Sequence, residues 1–165
     1  MDDEEGRLIQ DSTRSHLILP EPVTEWLAES VVKTVTDHRT SALAADSIRE
    51  HGVDIERSEH GSFGLGFYTA TRVDEFFGDT NLTVAVRARN PLIGSLDEVG
   101  RFVDDLSLRL RPRAQGRMTR DAAAAVRLEL LDLGYDGVVV FDGGGDGIDF
   151  VIALGAESVK VVLQP

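Results

Sequence analysis

The chain has 165 residues, 42% of them hydrophobic, a net charge of −12 and no cysteine. That size supports one domain with a real core, and the charge disfavours nucleic acid or an anionic membrane as partner, because both need a basic footprint. Disulfide and thiolate chemistry are excluded, and no apolar run reaches the ~20 residues of a membrane span, so a soluble, cytoplasmic protein is expected.

Residues 1–20 are acidic and polar and are expected to be partly disordered, ahead of a single domain over 21–165. The opening Met1-Asp2-Asp3-Glu4-Glu5 is the reverse of a basic signal-peptide start. A short helix is predicted over 22–30, with Trp26 and Leu27 facing inward. Residues 31–36 are dense in β-branched side chains and read as a strand leading to Asp37 and His38. Ser41 suits the N-cap of a helix over 42–51, and Gly52 suits its stop. A brief strand is expected over 53–55, then a loop to Gly61.

Residues 60–70 hold three glycines within six positions, then Phe67, Tyr68 and Thr69, which are strand formers. Glycine lets the backbone take positive φ or lie close against a flat ligand, so this stretch can form one wall of a cleft. On this stretch alone the favoured reading is a bulged core strand with Tyr68 as a satisfied core aromatic. Thr71 caps a short helix over 72–77, and 82–88 alternates as a strand. Asn90-Pro91 reads as a turn. Apolar residues at helical spacing mark a helix over 96–110, and 111–118 is expected to be a loop. Thr119 caps a helix over 120–133 that Gly134 ends. Strands are predicted over 136–141, 148–154 and 159–163, the first two joined by a glycine-dense loop over 142–147. The order of elements gives an α+β fold with a split, largely antiparallel sheet flanked by helices.

Three stretches then fall into one pattern. A strand runs into Asp37-His38-Arg39-Thr40-Ser41, a Gly-rich strand carries Gly64-Leu65-Gly66-Phe67-Tyr68-Thr69-Ala70, and a late strand opens Ile148-Asp149-Phe150-Val151. Together they resemble the NAD-dependent ADP-ribosyltransferase fold in its His-Tyr-Glu branch, which includes poly(ADP-ribose) polymerases and bacterial toxin domains. The resemblance covers about residues 31–163, and the order of the motifs carries it. It implies transfer of ADP-ribose from NAD to an acceptor, a protein side chain in most readings, with release of nicotinamide. It implies no metal, and an immunity or antitoxin partner if the domain is a toxin or effector.

On that resemblance His38 bonds the adenosine-side ribose, Tyr68 stacks on nicotinamide, and Asp149 takes the acidic position beside the nicotinamide ribose. Arg39, Thr40, Gly66 and Phe76 complete the NAD-contacting set. Breaking the nicotinamide–ribose bond leaves an oxocarbenium-like sugar, which a carboxylate stabilises. Arg39 stands where the family has glycine, and Asp149 is one methylene shorter than the family's Glu. His60-Gly61-Ser62 matches the family's His-Gly-Ser literally, but no helix fits between it and Tyr68, so His38 is preferred. Asp146 and Glu157 are the substitute acids. The glycine loop with Asp142 and Asp146 reads as a solvated turn, neither a phosphate nest nor a calcium site. The arginines from Arg109 to Arg120 read as a solvated loop. A NAD glycohydrolase, a fold-retaining module without turnover and an unrelated α+β interaction domain are the alternatives.

Overall fold

In a computed structural model, residues 21–58, 60–71, 78–110, 119–141 and 147–162 are described. The element order is α1 (Glu21–Trp26), β1 (Thr36–Thr40), α2 (Ala42–His51), β2 (His60–Gly61), β3 (Gly64–Leu65), β4 (Phe67–Ala70), β5 (Thr80–Val86), β6 (Pro91–Ser95), α3 (Leu96–Leu110), α4 (Arg120–Asp132), β7 (Gly137–Phe141), β8 (Ile148–Ala153) and β9 (Val159–Val161). Seven strands form one sheet in the order β6-β7-β8-β4-β1-β5-β9, and β2 and β3 form a separate small hairpin. Every pairing is antiparallel except β6 with β7. This is an α+β fold with a mostly antiparallel open sheet.

Local chemistry sets the helices. The Ser41 hydroxyl accepts from the Ala44 N–H, and Gly52 stops α2 at φ 82°, its N–H donating to Ile48 O. Thr119 caps α4 through the Ala122 N–H, and Gly134 beyond its end has φ 96°. At the start of α3, Ser95 accepts from the Glu98 N–H and the Glu98 carboxylate accepts from the Ser95 N–H, a reciprocal cap. Among the described residues no helix is long and apolar enough to cross a membrane.

The two faces of the sheet bury separate clusters, as strand alternation requires. Val139, Val151 and Ala153 join Phe67, Leu82 and Val84 in one. Val138, Val140 and Ile152 join α3 and α4 side chains such as Val103 and Leu130 in the other. A smaller cluster, Val23, Leu27, Val35 and Ala85, seats α1.

Four predicted elements need correction. The strand expected over 31–36 begins at Thr36 instead. Val32 and Val35 are buried, but their segment is held by other groups: the Ser30 hydroxyl bonds the backbone of Val32, Val86 and Ala88. The β-branched residues there reflect burial, not ladder pairing. Helix α1 ends at Trp26 rather than Ser30, because Ser30 is recruited to that bonding. Residues 53–55 form no strand; Ile55–Arg57 is a 3-10 turn capped by Asp54. Asn90-Pro91 opens strand β6, an edge strand that needs no N–H from its first residue. The segments 1–20, 72–77, 111–118 and 142–146 lie outside the described residues, so the readings made for them, Phe76, Asp142 and Asp146 included, have no structural counterpart here.

Candidate functional site

Strand order makes β1, β4 and β8 neighbours at the centre of the sheet. These strands carry His38, Tyr68 and Asp149. The β4–β8 pairing is regular, with Tyr68 opposite Ile152 and Ala70 opposite Phe150. Between β1 and β4 one residue pair is registered, Asp37 with Ala70, whereas β1 and β5 register five. Bonds made by the Thr36 and His38 side chains supplement that single registered pair across the β1–β4 seam.

His38 occupies that seam. Its ring stacks on Phe67 at a centroid distance of 4.1 Å, and its Nδ1 lies 2.7 Å from the Tyr68 carbonyl oxygen. A carbonyl only accepts, so Nδ1 carries the proton and donates. Next along the strand, Arg39 Nε donates to Gly78 O at 2.7 Å. The guanidinium has further N–H donors on its terminal nitrogens, of the kind that match a phosphate. Gly78, at φ 137°, lies so close to Thr40 that a Cβ would sit 2.4 Å from the Thr40 carbonyl. Thr40 itself is partly exposed and pairs with Thr80.

Tyr68 points away from His38, because consecutive residues alternate and it is Phe67 that meets the imidazole. Its ring packs with the α3–α4 cluster and rests on Gly61, where a Cβ would lie 2.9 Å from the ring. The hydroxyl donates to Gly64 O at 2.7 Å and accepts from the Phe63 N–H at 3.1 Å. Burial pushes the phenol up to about 12, partly opposed by hydrogen bonding to the Phe63 and Gly61 backbone. Tyr68 is therefore a neutral, half-buried ring that braces the small hairpin and keeps some exposed surface. Gly66 works by absence: a Cβ there would meet Ile152 Cγ2 at 2.6 Å.

Asp149 sits where the β7–β8 register steps by one residue, Val140 facing Phe150 and Phe141 facing Ile148. It is partly exposed, and its carbonyl accepts from the Thr71 N–H at 3.2 Å. The Thr71 hydroxyl donates to Ile148 O at 2.6 Å, fixing the same corner. Glu157, a substitute acid in the sequence reading, lies in the turn Ala156–Ser158. His60 lies on β2 opposite Leu65, outside the seven-stranded sheet.

The structure thus joins His38 to the Tyr68 backbone but turns the two rings to opposite faces. The groups on these strands are an imidazole, a guanidinium, a largely buried phenol ring and a carboxylate. Among the described residues no group of three His, Asp or Glu side chains could hold a metal ion. A shallow concavity lined by Phe102, Asp105, Leu108 and Arg109 lies on α3, on none of the three strands. Two residues given no site role in the sequence reading are Thr36 and Thr69, both buried polar and bonded to each other. Their bond crosses between strands, so no local pattern announces it. No protein-family model, curated protein or solved structure matches the chain.

Proposed function

We propose that the protein cleaves NAD at the nicotinamide–ribose bond and transfers ADP-ribose to an acceptor, with the β1–β4 seam as the ADP-ribosyltransferase-type division of the sheet. One observation carries the reading. Residues 38, 68 and 149, chosen from sequence motifs, lie on three strands that are adjacent in the sheet though far apart in the chain. His38, held at the seam by its Nδ1 bond to the Tyr68 carbonyl, is placed to contact a ribose hydroxyl. Arg39 supplies positive charge for the pyrophosphate. Tyr68 contributes through its backbone carbonyl, which orients His38, since its ring lies on the opposite face against the α3–α4 cluster. Asp149 stabilises positive charge as it develops on the ribose. The acceptor nucleophile then bonds to the anomeric carbon and nicotinamide leaves with the bonding pair.

Purified protein is incubated with NAD, and nicotinamide release and NAD-induced thermal stabilisation are measured. Binding at 100 times the dissociation constant stabilises the fold by about 2.7 kcal/mol. Stabilisation without release identifies a binding module, and release without labelled acceptor a glycohydrolase. Neither effect means the reading is wrong.

A further inference from the structure

Among the described strands the fewest registered pairs lie between those carrying His38 and Tyr68, with the single pair Asp37–Ala70. A buried chain of hydroxyls crosses it. Thr36 Oγ1 donates to Thr69 Oγ1 at 2.7 Å, and Thr69 Oγ1 donates to Val151 O at 2.6 Å. Thr36 is 1% exposed and Thr69 2%, so no water competes for these bonds. Each member stands beside a candidate site residue: Thr36 two before His38, Thr69 next to Tyr68, Val151 two after Asp149. Thr36 and His38 share a face of β1 by alternation, as do Phe67 and Thr69 on β4. The His38–Phe67 stack and the Thr36–Thr69 bond are therefore neighbouring rungs across one seam.

We infer that Thr69 is a positioning residue: its hydroxyl, anchored to Val151 O on β8 and accepting from Thr36 on β1, sets the spacing of β1 against β4 and so the placement of His38. A hydroxyl suits the task because it accepts and donates at once. The catalytic consequence rests on the transferase reading given above; the geometric part does not.

The test uses the full chain with Thr69→Val, which keeps the side-chain shape, and Thr69→Ser, which keeps the hydroxyl. The first readout is the His38 Nδ1–H resonance by ¹H–¹⁵N NMR without NAD, where slow exchange with water reports the bond to the Tyr68 carbonyl. Thr69→Val is expected to lose the slow-exchanging signal and Thr69→Ser to keep it. The second readout is nicotinamide release. Thr69→Val is expected to lower kcat on the order of 10- to 100-fold with KM little changed, and Thr69→Ser to restore it. A retained signal in folded Thr69→Val overturns the inference, and so does its loss in both variants. If Thr69→Val does not fold, Thr36→Val against Thr36→Ser decides the question by the same signal. A wild type that neither binds nor cleaves NAD defeats the transferase reading alone, since the His38 signal still decides the role of Thr69.

Discussion

Tyr68→Phe separates the two parts of Tyr68, the ring and the hydroxyl. The ring and its contact with Gly61 are kept. Two hydrogen bonds are lost, to Gly64 O at 2.7 Å and from the Phe63 N–H at 3.1 Å. Gly64 and Phe63 are buried, so both backbone groups lose a partner in a place water reaches poorly. One such loss costs about 1–3 kcal/mol, and the smaller end applies where the neighbours relax. For a domain of this size each kcal/mol lowers the melting temperature by about 2–4 °C. A second signature is pH-dependent. The folded phenol is pushed up to about 12 from 10.0, so the folded state holds the proton more tightly than the unfolded chain. Stability from this source is complete below pH 10.0 and is lost as pH rises to about 12. The loss amounts to about 2–3 kcal/mol across that window. Urea melts of wild type and Tyr68→Phe at neutral pH and between pH 10 and 12 test both. The variant is expected to be less stable at neutral pH and to lose less on going alkaline. Equal stability at neutral pH together with parallel alkaline loss would refute the hydroxyl's bracing role.

Asp149→Asn is expected to lower nicotinamide release about 10²–10³-fold while NAD affinity changes little, because the amide still bonds a hydroxyl but lacks the charge. Wild-type release from a folded variant would remove Asp149 from the reaction. Gly66→Ala places a methyl 2.6 Å from Ile152 Cγ2 and 3.0 Å from Ala153 O, so thermal melts should show a loss of about 1–3 kcal/mol. Gly100→Ala, within α3 and with nothing within 4 Å of the added carbon, should instead gain about 0.5–1 kcal/mol. Ser30→Ala strips a buried hydroxyl from the backbone of Val32, Val86 and Ala88 and should cost about 1–3 kcal/mol in chemical denaturation.

Helices were largely legible in the residues. Ser41 and Gly52 bound α2, Thr119 and Gly134 mark the two ends of α4, and apolar spacing from Val99 to Leu106 lays out α3. These signals act within about four residues, so they survive without knowledge of the fold. Runs such as 137–141 and 148–153 were legible as strands because both faces are buried and nearly every residue is apolar. Sequence motifs also selected His38, Tyr68 and Asp149. What lay beyond the sequence was decided by partners distant along the chain. Thr36 rather than Val31 begins β1 because β5 pairs from there, while Ser30 claims the segment before it. Pro91 opens a strand only because β7 lies beside it in parallel. Tyr68 braces Gly64 and turns from His38 because Phe67 takes the other face. The Thr36–Thr69–Val151 chain exists only once three strands are side by side, since a hydrogen bond between strands depends on register and no residue type encodes register alone.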